Sequence, residues 1–255
     1  FWVVCIITCV AYYALHTCYN IYYEDDSWTV SNAWNMVNLG VDQDLTFLDQ
    51  EGIFTGQLFG KIYFFISGSF LNIVGWTKGN IFLFNSTMIF ITAFIWYEIL
   101  KILPASFNKM SKLLPLLLPL FPPCFFAAHT GRTDVFTLFL MSVGFLFFIR
   151  KHYFLAGIIS VLAIESHIMG CITLFYYLSY FIYMQKNFVG KSSVSKPNLK
   201  LFVSPALMSF IGFFTGALIY FALHHEFFSL GILHKIVSSK TDMVSPVNNY
   251  ILAYF

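Results

Sequence analysis

Three short polar clusters interrupt an otherwise apolar chain, and each holds residue types that can do chemistry: Tyr23-Glu24-Asp25-Asp26-Ser27, His129-Thr130-Gly131-Arg132-Thr133-Asp134 and Glu165-Ser166-His167. In the first, adjacent carboxylates repel one another and partial burial adds to the effect. One of them can thereby be lifted into the range where it accepts a proton as a general base. The competing use is local, since Asp25 or Asp26 can cap a helix that follows. In the second cluster, Arg132 is one of only two arginines. Such a charge costs about 2.5–3.5 kcal/mol at mid-membrane, and a phosphate gripped by its planar fork would justify it. An ion pair with Asp134 at the interface is the alternative. His167 can donate to a phosphate or a carboxylate, or simply satisfy a helix hairpin.

Lesser candidates lie outside these clusters. Lys61 and Lys78 flank a short apolar stretch, where they either snorkel to headgroups or steady a lipid phosphate. His224-His225-Glu226 looks like a run of metal ligands, but successive helix positions do not face one site, and it reads as the interfacial end of a span. Cys5, Cys9, Cys124 and Cys171 sit in apolar runs with no Cys-x-x-Cys pair, which fits small buried hydrophobes rather than a disulfide framework or a zinc site. The Phe and Tyr residues are spread along the apolar segments as lipid-facing and packing groups.

The elements that must hold these clusters are membrane helices. Of 255 residues, 58% are hydrophobic and only 10% charged, which excludes a water-soluble globule, and a net charge of +2 excludes the basic field of a nucleic-acid binder. A span needs about 20 apolar residues, and candidates fall at about 1–22, 81–100, 113–128, 135–149, 153–166, 168–184 and 201–223. Residues 165–167 join two of them in a tight hairpin. The expected fold is an all-α polytopic integral membrane protein with about seven transmembrane helices. The whole chain, 1–255, forms one transmembrane domain, with juxtamembrane helices in an outer loop over 24–79. Starting at Phe1 and stopping at Phe255 within an apolar stretch, it reads as a fragment of a longer protein.

Charge distribution orients these spans. Lys101, Lys109, Lys112, Arg150, Lys151, Lys186, Lys191, Lys196 and Lys200 fall in three breaks, which the positive-inside rule makes cytoplasmic. If the short stretch 62–76 lies in the interface instead of crossing, segments 24–61, 129–134 and 165–167 share the opposite face; if it crosses, the acidic loop is cytoplasmic. Its length, glycines and polar residues favour the first arrangement. Seven acids, Glu24, Asp25, Asp26, Asp42, Asp44, Asp49 and Glu51, crowd the first loop. Within it, Ser27–Leu39 reads as an interfacial helix anchored by Trp28 and Trp34 and closed by Gly40. The stretch 190–200 reads as a solvated connector.

The run from Glu24 through Trp28 and Trp34 to Val37, following one span, resembles the opening of polyprenol-phosphate-sugar-dependent glycosyltransferases of the GT-C fold, the protein mannosyltransferase and lipid A aminoarabinose transferase superfamily. Gly52-Ile53-Phe54-Thr55-Gly56, a juxtamembrane helix ending near Gly75, Arg132-Thr133-Asp134, Arg150-Lys151-His152 and Glu165-Ser166-His167-Ile168-Met169-Gly170 follow in the family's order. Where many bacterial members carry Lys-Pro-Pro in the first loop, this chain has Asp49-Gln50-Glu51-Gly52.

The resemblance implies an inverting transfer from a polyprenyl-phosphate sugar to a hydroxyl of a lipid, glycan or protein acceptor, with Asp25 and Asp26 as the catalytic acids. It implies that Arg132, Lys61 and His167 hold the donor phosphate and that Asp134, Glu24 and His129 support them. Paired carboxylates also suit Mg²⁺ or Mn²⁺, although two adjacent acids do not make a metal site. The expected location is a bacterial inner membrane with the site facing the periplasm or cell exterior, or an endoplasmic reticulum membrane with the site facing the lumen. Two other classes fit the charges: a multi-span transporter or lipid-carrier translocase, and a non-catalytic membrane subunit.

Overall fold

The computed structural model describes residues 1–18, 24–40, 60–103, 111–189 and 200–224, and these are all-helical, with no strand among them. In chain order the α-helices are α1 (Trp2–Cys18), α2 (Glu24–Trp34), α3 (Lys61–Val74), α4 (Lys78–Ile102), α5 (Pro122–Ala128), α6 (Asp134–Ile149), α7 (Tyr153–Ser166), α8 (Ile172–Val189) and α9 (Lys200–Leu223). The segments 19–23, 41–59, 104–110, 190–199 and 225–255 lie outside the described residues. With them lie Tyr23, the Gly52–Gly56 motif, Lys109, the 190–199 connector, His225 and Glu226. The side chains of Glu24, Asp25, Asp26 and Lys186 lie outside as well.

Among the described residues, two helices are long and apolar enough to cross a membrane, Lys78–Ile102 and Val203–Ala222. The other apolar stretches form shorter helices. Residues 113–128 do not make one continuous α-helix, because Pro115, Pro119, Pro122 and Pro123 withhold backbone donors and block it. The chain there forms a 3₁₀ helix, Ser111–Leu120, and then the short α5. Residues 168–184 begin as a 3₁₀ turn, Ile168–Cys171, before α8. The 62–76 stretch is the 14-residue α3, about 21 Å long and shorter than the roughly 30 Å of a bilayer core.

Helix α2 begins at Glu24, so Asp25 and Asp26 occupy its first turn and neither caps it from outside. It widens into a single π turn, Asn35–Leu39, and ends as expected at Gly40, whose φ of 67° lets its N–H return to the Asn35 carbonyl. It lies on α3, where Gly68 admits the backbone: a Cβ there would fall 2.6 Å from the Ala33 carbonyl oxygen.

Helices α7 and α9 make the closest pairing. Gly157 meets the backbone of Ser209 and Phe213, while Gly212 meets that of Phe154, so neither position has room for a side chain. Gly216 lies one turn after Gly212, the small-x-x-x-small spacing that lets apolar helices approach. The 165–167 hairpin therefore does not fold α7 primarily onto α8. Its own end is closed by Gly170, seated against the Ala163 carbonyl.

The bundle has two distinct ends. At one, Ile99, Phe148, Ile149 and Ala156 pack with Leu103 and Tyr153, placing Lys101, Arg150 and Lys151 close by. The turn there is a Schellman motif: Lys151, at φ 67°, bonds back to Phe148, and His152 to Phe147. Sixteen residues of α6, about 24 Å, separate this end from the one that begins at Asp134.

Candidate functional site

The second end is built around a buried tyrosine. Tyr63 of α3 donates from its hydroxyl to the Asn85 side-chain oxygen and the Gly131 carbonyl, both at 3.2 Å. Asn85, in the first third of α4 and sealed from solvent, donates its amide to the Thr130 carbonyl at 2.6 Å. These two side chains hold the 129–134 turn by its backbone, because an unpaired carbonyl in an apolar interior is costly. Ser166 of α7 and Thr137 of α6 share a buried hydrogen bond of 2.9 Å beside it.

Helix α3 has no cap of its own, since its N-cap residue, Gly60, has no side chain and sits at φ 90°. Glu165, at the end of α7, supplies one. Its main-chain carbonyl accepts the Gly60 N–H at 2.6 Å. Both carboxylate oxygens lie 3.4 Å from the Ile62 nitrogen, the position where a capping oxygen meets a helix. His224, just past α9, places Nε2 3.3 Å from Glu165 Oε1, and neither side chain is exposed.

On this frame stand most of the candidate phosphate-binding residues. Arg132 Nε donates to Asp134 Oδ2 at 2.9 Å, and His167 Nε2 lies 3.8 Å from Asp134 Oδ1. Asp134 opens α6, where the helix dipole favours a carboxylate. His167 Nδ1 accepts the Met169 N–H at 3.2 Å, so in the neutral ring the proton is on Nε2, facing Asp134. The three side chains are about a third exposed, in contrast to the sealed Glu165–His224 pair. Lys61 is largely buried between Gly60 and Ile62, the two residues whose N–H groups meet Glu165, and a Cβ on Gly60 would touch Thr133. Lys61, Arg132, Asp134 and His167 thus gather at one end, as the arrangement of loops suggested, and the Arg132–Asp134 ion pair is realised too.

His129 faces elsewhere. It is buried in the turn after α5, with Nδ1 2.7 Å from the Phe125 carbonyl and Nε2 2.7 Å from His16 Nδ1 on α1. A carbonyl only accepts, so His129 Nδ1 carries a proton. In the neutral ring, Nε2 therefore accepts from His16. Burial, reinforced by His16, holds the His129 pKa below the usual histidine value against the opposing Phe125 bond. Lys78 sits over the Phe82 ring, 5.1 Å from its centre.

Among the described residues, no group of three or more His, Cys, Asp and Glu gathers; the paired carboxylates expected to suit a divalent cation, Asp25 and Asp26, have side chains outside the described residues.

Sequence reasoning missed Tyr63 and Asn85, gave Glu165 no specific partner, and placed His224 at the end of a span without its buried partner. Asn85 alone left a signal, as an amide inside an apolar run. No protein-family model, curated protein or solved structure matches this chain.

Proposed function

We propose that this chain is a membrane-embedded, inverting glycosyltransferase of GT-C type that uses a polyprenyl-phosphate sugar. The observation that carries the reading is the placement of Arg132, Asp134, His167 and the Lys61 end of α3 together, at the opposite end of α6 from Arg150 and Lys151. Seven segments cross in this reading: α1, α4, the 3₁₀–α5 pair, α6, α7, α8 and α9. Helices α2 and α3 lie at the non-cytoplasmic face, periplasmic in a bacterium or lumenal in the endoplasmic reticulum.

The donor's prenyl chain lies along the helices and its phosphate meets Arg132, with Lys61 and His167 in support. Asp25, with Asp26 and Glu24 beside it in the first turn of α2, accepts the proton of the acceptor hydroxyl. The acceptor oxygen attacks C1, the C1–oxygen bond to phosphate breaks, and its electron pair leaves with the phosphate. Arg132 stabilises the charge that grows there. His129 supports by fixing the turn that carries Arg132.

One observation favours a transporter: the sealed Glu165–His224 pair is the kind of intramembrane ionisable contact found along proton pathways. Both readings are tested by offering the full-length protein in liposomes a panel of polyprenyl-phosphate sugars and mixed acceptors. Consumption of one donor by wild type, lost in a folded Asp25→Asn variant, supports transfer chemistry. Equal turnover removes Asp25 from it, and no turnover alongside proton-coupled uptake favours the transporter.

A further inference from the structure

Asn32 of α2 is 3% exposed, and neither its side-chain oxygen nor its side-chain nitrogen has a hydrogen-bond partner. A buried amide left this way forfeits its hydration with nothing in return, and native chains keep such groups for a reason. The neighbouring Ala33, and Met36 one turn on, pack against the cluster of Tyr63, Phe64, Phe84 and Phe136. Tyr63 in that cluster is the residue that holds the Gly131 end of the Arg132 turn. Along α2, Asp25, Thr29 and Asn32 follow at intervals of four and three, which places them on one helical face, and Thr29 is buried as well.

A carboxamide offers an acceptor and two donors side by side. The ligand that satisfies both atoms presents a hydroxyl that gives a proton next to one that receives it, as the vicinal diol of a pyranose does. An aliphatic chain satisfies neither atom, and a phosphate, lacking a donor when ionised, satisfies only the nitrogen. We propose that Asn32 is a sugar-reading residue, pairing its oxygen and nitrogen with two neighbouring hydroxyls of the transferred sugar. This rests on the glycosyltransferase reading and deepens it: the same face of α2 carries Asp25 at its start and the sugar contact two turns on.

The test uses the full-length protein, with Asn32→Leu as a near-isosteric apolar replacement and Asn32→Ala as a second variant in case leucine does not fit. Two measurements are made: turnover of the sugar donor against its deoxy analogues, and the thermal midpoint in nanodiscs with and without methyl glycosides. The expected result is that Asn32→Leu keeps or raises the ligand-free midpoint, because two unsatisfied groups are gone. Its kcat/KM falls about 10- to 100-fold, and it no longer distinguishes the donor from the deoxy analogue that wild type rejects. Glycoside raises the wild-type midpoint and leaves both variants unmoved.

A lowered ligand-free midpoint in both variants with unchanged sugar discrimination would make Asn32 a structural amide and overturn the proposal. So would glycoside failing to shift wild type. The broader reading fails separately: a wild type that binds glycoside through Asn32 yet turns over no donor keeps the sugar contact and loses the transferase. Turnover that ignores Asn32 does the reverse.

Discussion

Glu165 Oε1 lies 3.3 Å from His224 Nε2 across 59 positions of chain, with both side chains closed to solvent. That one contact joins the end of α7, the end of α9 and, through the Ile62 N–H, the start of α3. Removing one member of a buried hydrogen-bonded pair strips the other of a partner, which costs about 1–3 kcal/mol. His224→Leu should therefore destabilise the protein by that order in equilibrium unfolding from micelles, with the Glu165 carboxylate keeping the Ile62 N–H. Glu165→Leu in addition should restore only part of the loss, because the α3 cap goes with it.

Asn85 carries the turn that presents Arg132. Asn85→Leu leaves the Thr130 carbonyl buried and unpaired, while the Tyr63 hydroxyl keeps the Gly131 carbonyl. The expected outcome is a loss of about 1–3 kcal/mol, with faster hydrogen exchange in the 129–134 turn. Tyr63→Phe, which leaves the Asn85–Thr130 bond in place, should lose less.

The His16–His129 contact makes the docking of α1 depend on pH. The His129 pKa lies below its ordinary 6.5, so the unfolded chain takes up a proton first as pH falls. The stabilising contribution is complete above about pH 6.5 and is lost as pH falls from there through the depressed folded value. Unfolding measured across that window should show a slope that His129→Asn removes.

Lys151 holds the left-handed C′ position of the α6 Schellman turn without being glycine. A left-handed L-residue costs about 1–2 kcal/mol, part of which is offset by glycine's greater freedom when unfolded. Lys151→Gly should raise stability by about 0.5–1 kcal/mol in the same unfolding assay.

Much of the architecture was legible because apolar length and charge are local. The long α4 follows from its long, proline-free apolar run, and Gly40 closes its turn where the pattern placed it. Arg132 and Asp134, two residues apart, had little choice but to meet. The proline-rich 111–128 stretch misled because hydropathy records apolar content and is blind to missing backbone donors. Glu165 could be seen as a polar knot, but nothing in spacing reveals a partner 59 residues away. Within one short run, His129 and Arg132 face different neighbours, since a turn rotates successive side chains in ways a sequence pattern does not encode.

The most direct test of the central claim is donor turnover by the full-length protein in liposomes, comparing wild type, Arg132→Gln and Arg132→Lys. If Arg132 stabilises the leaving phosphate, glutamine should lower kcat by about 10²- to 10³-fold, the usual effect of removing one transition-state donor. Lysine should restore part of it as a point charge without the bidentate fork. Equal turnover of a polyprenyl-phosphate sugar by all three would contradict the assignment of this bundle end as the donor-phosphate site.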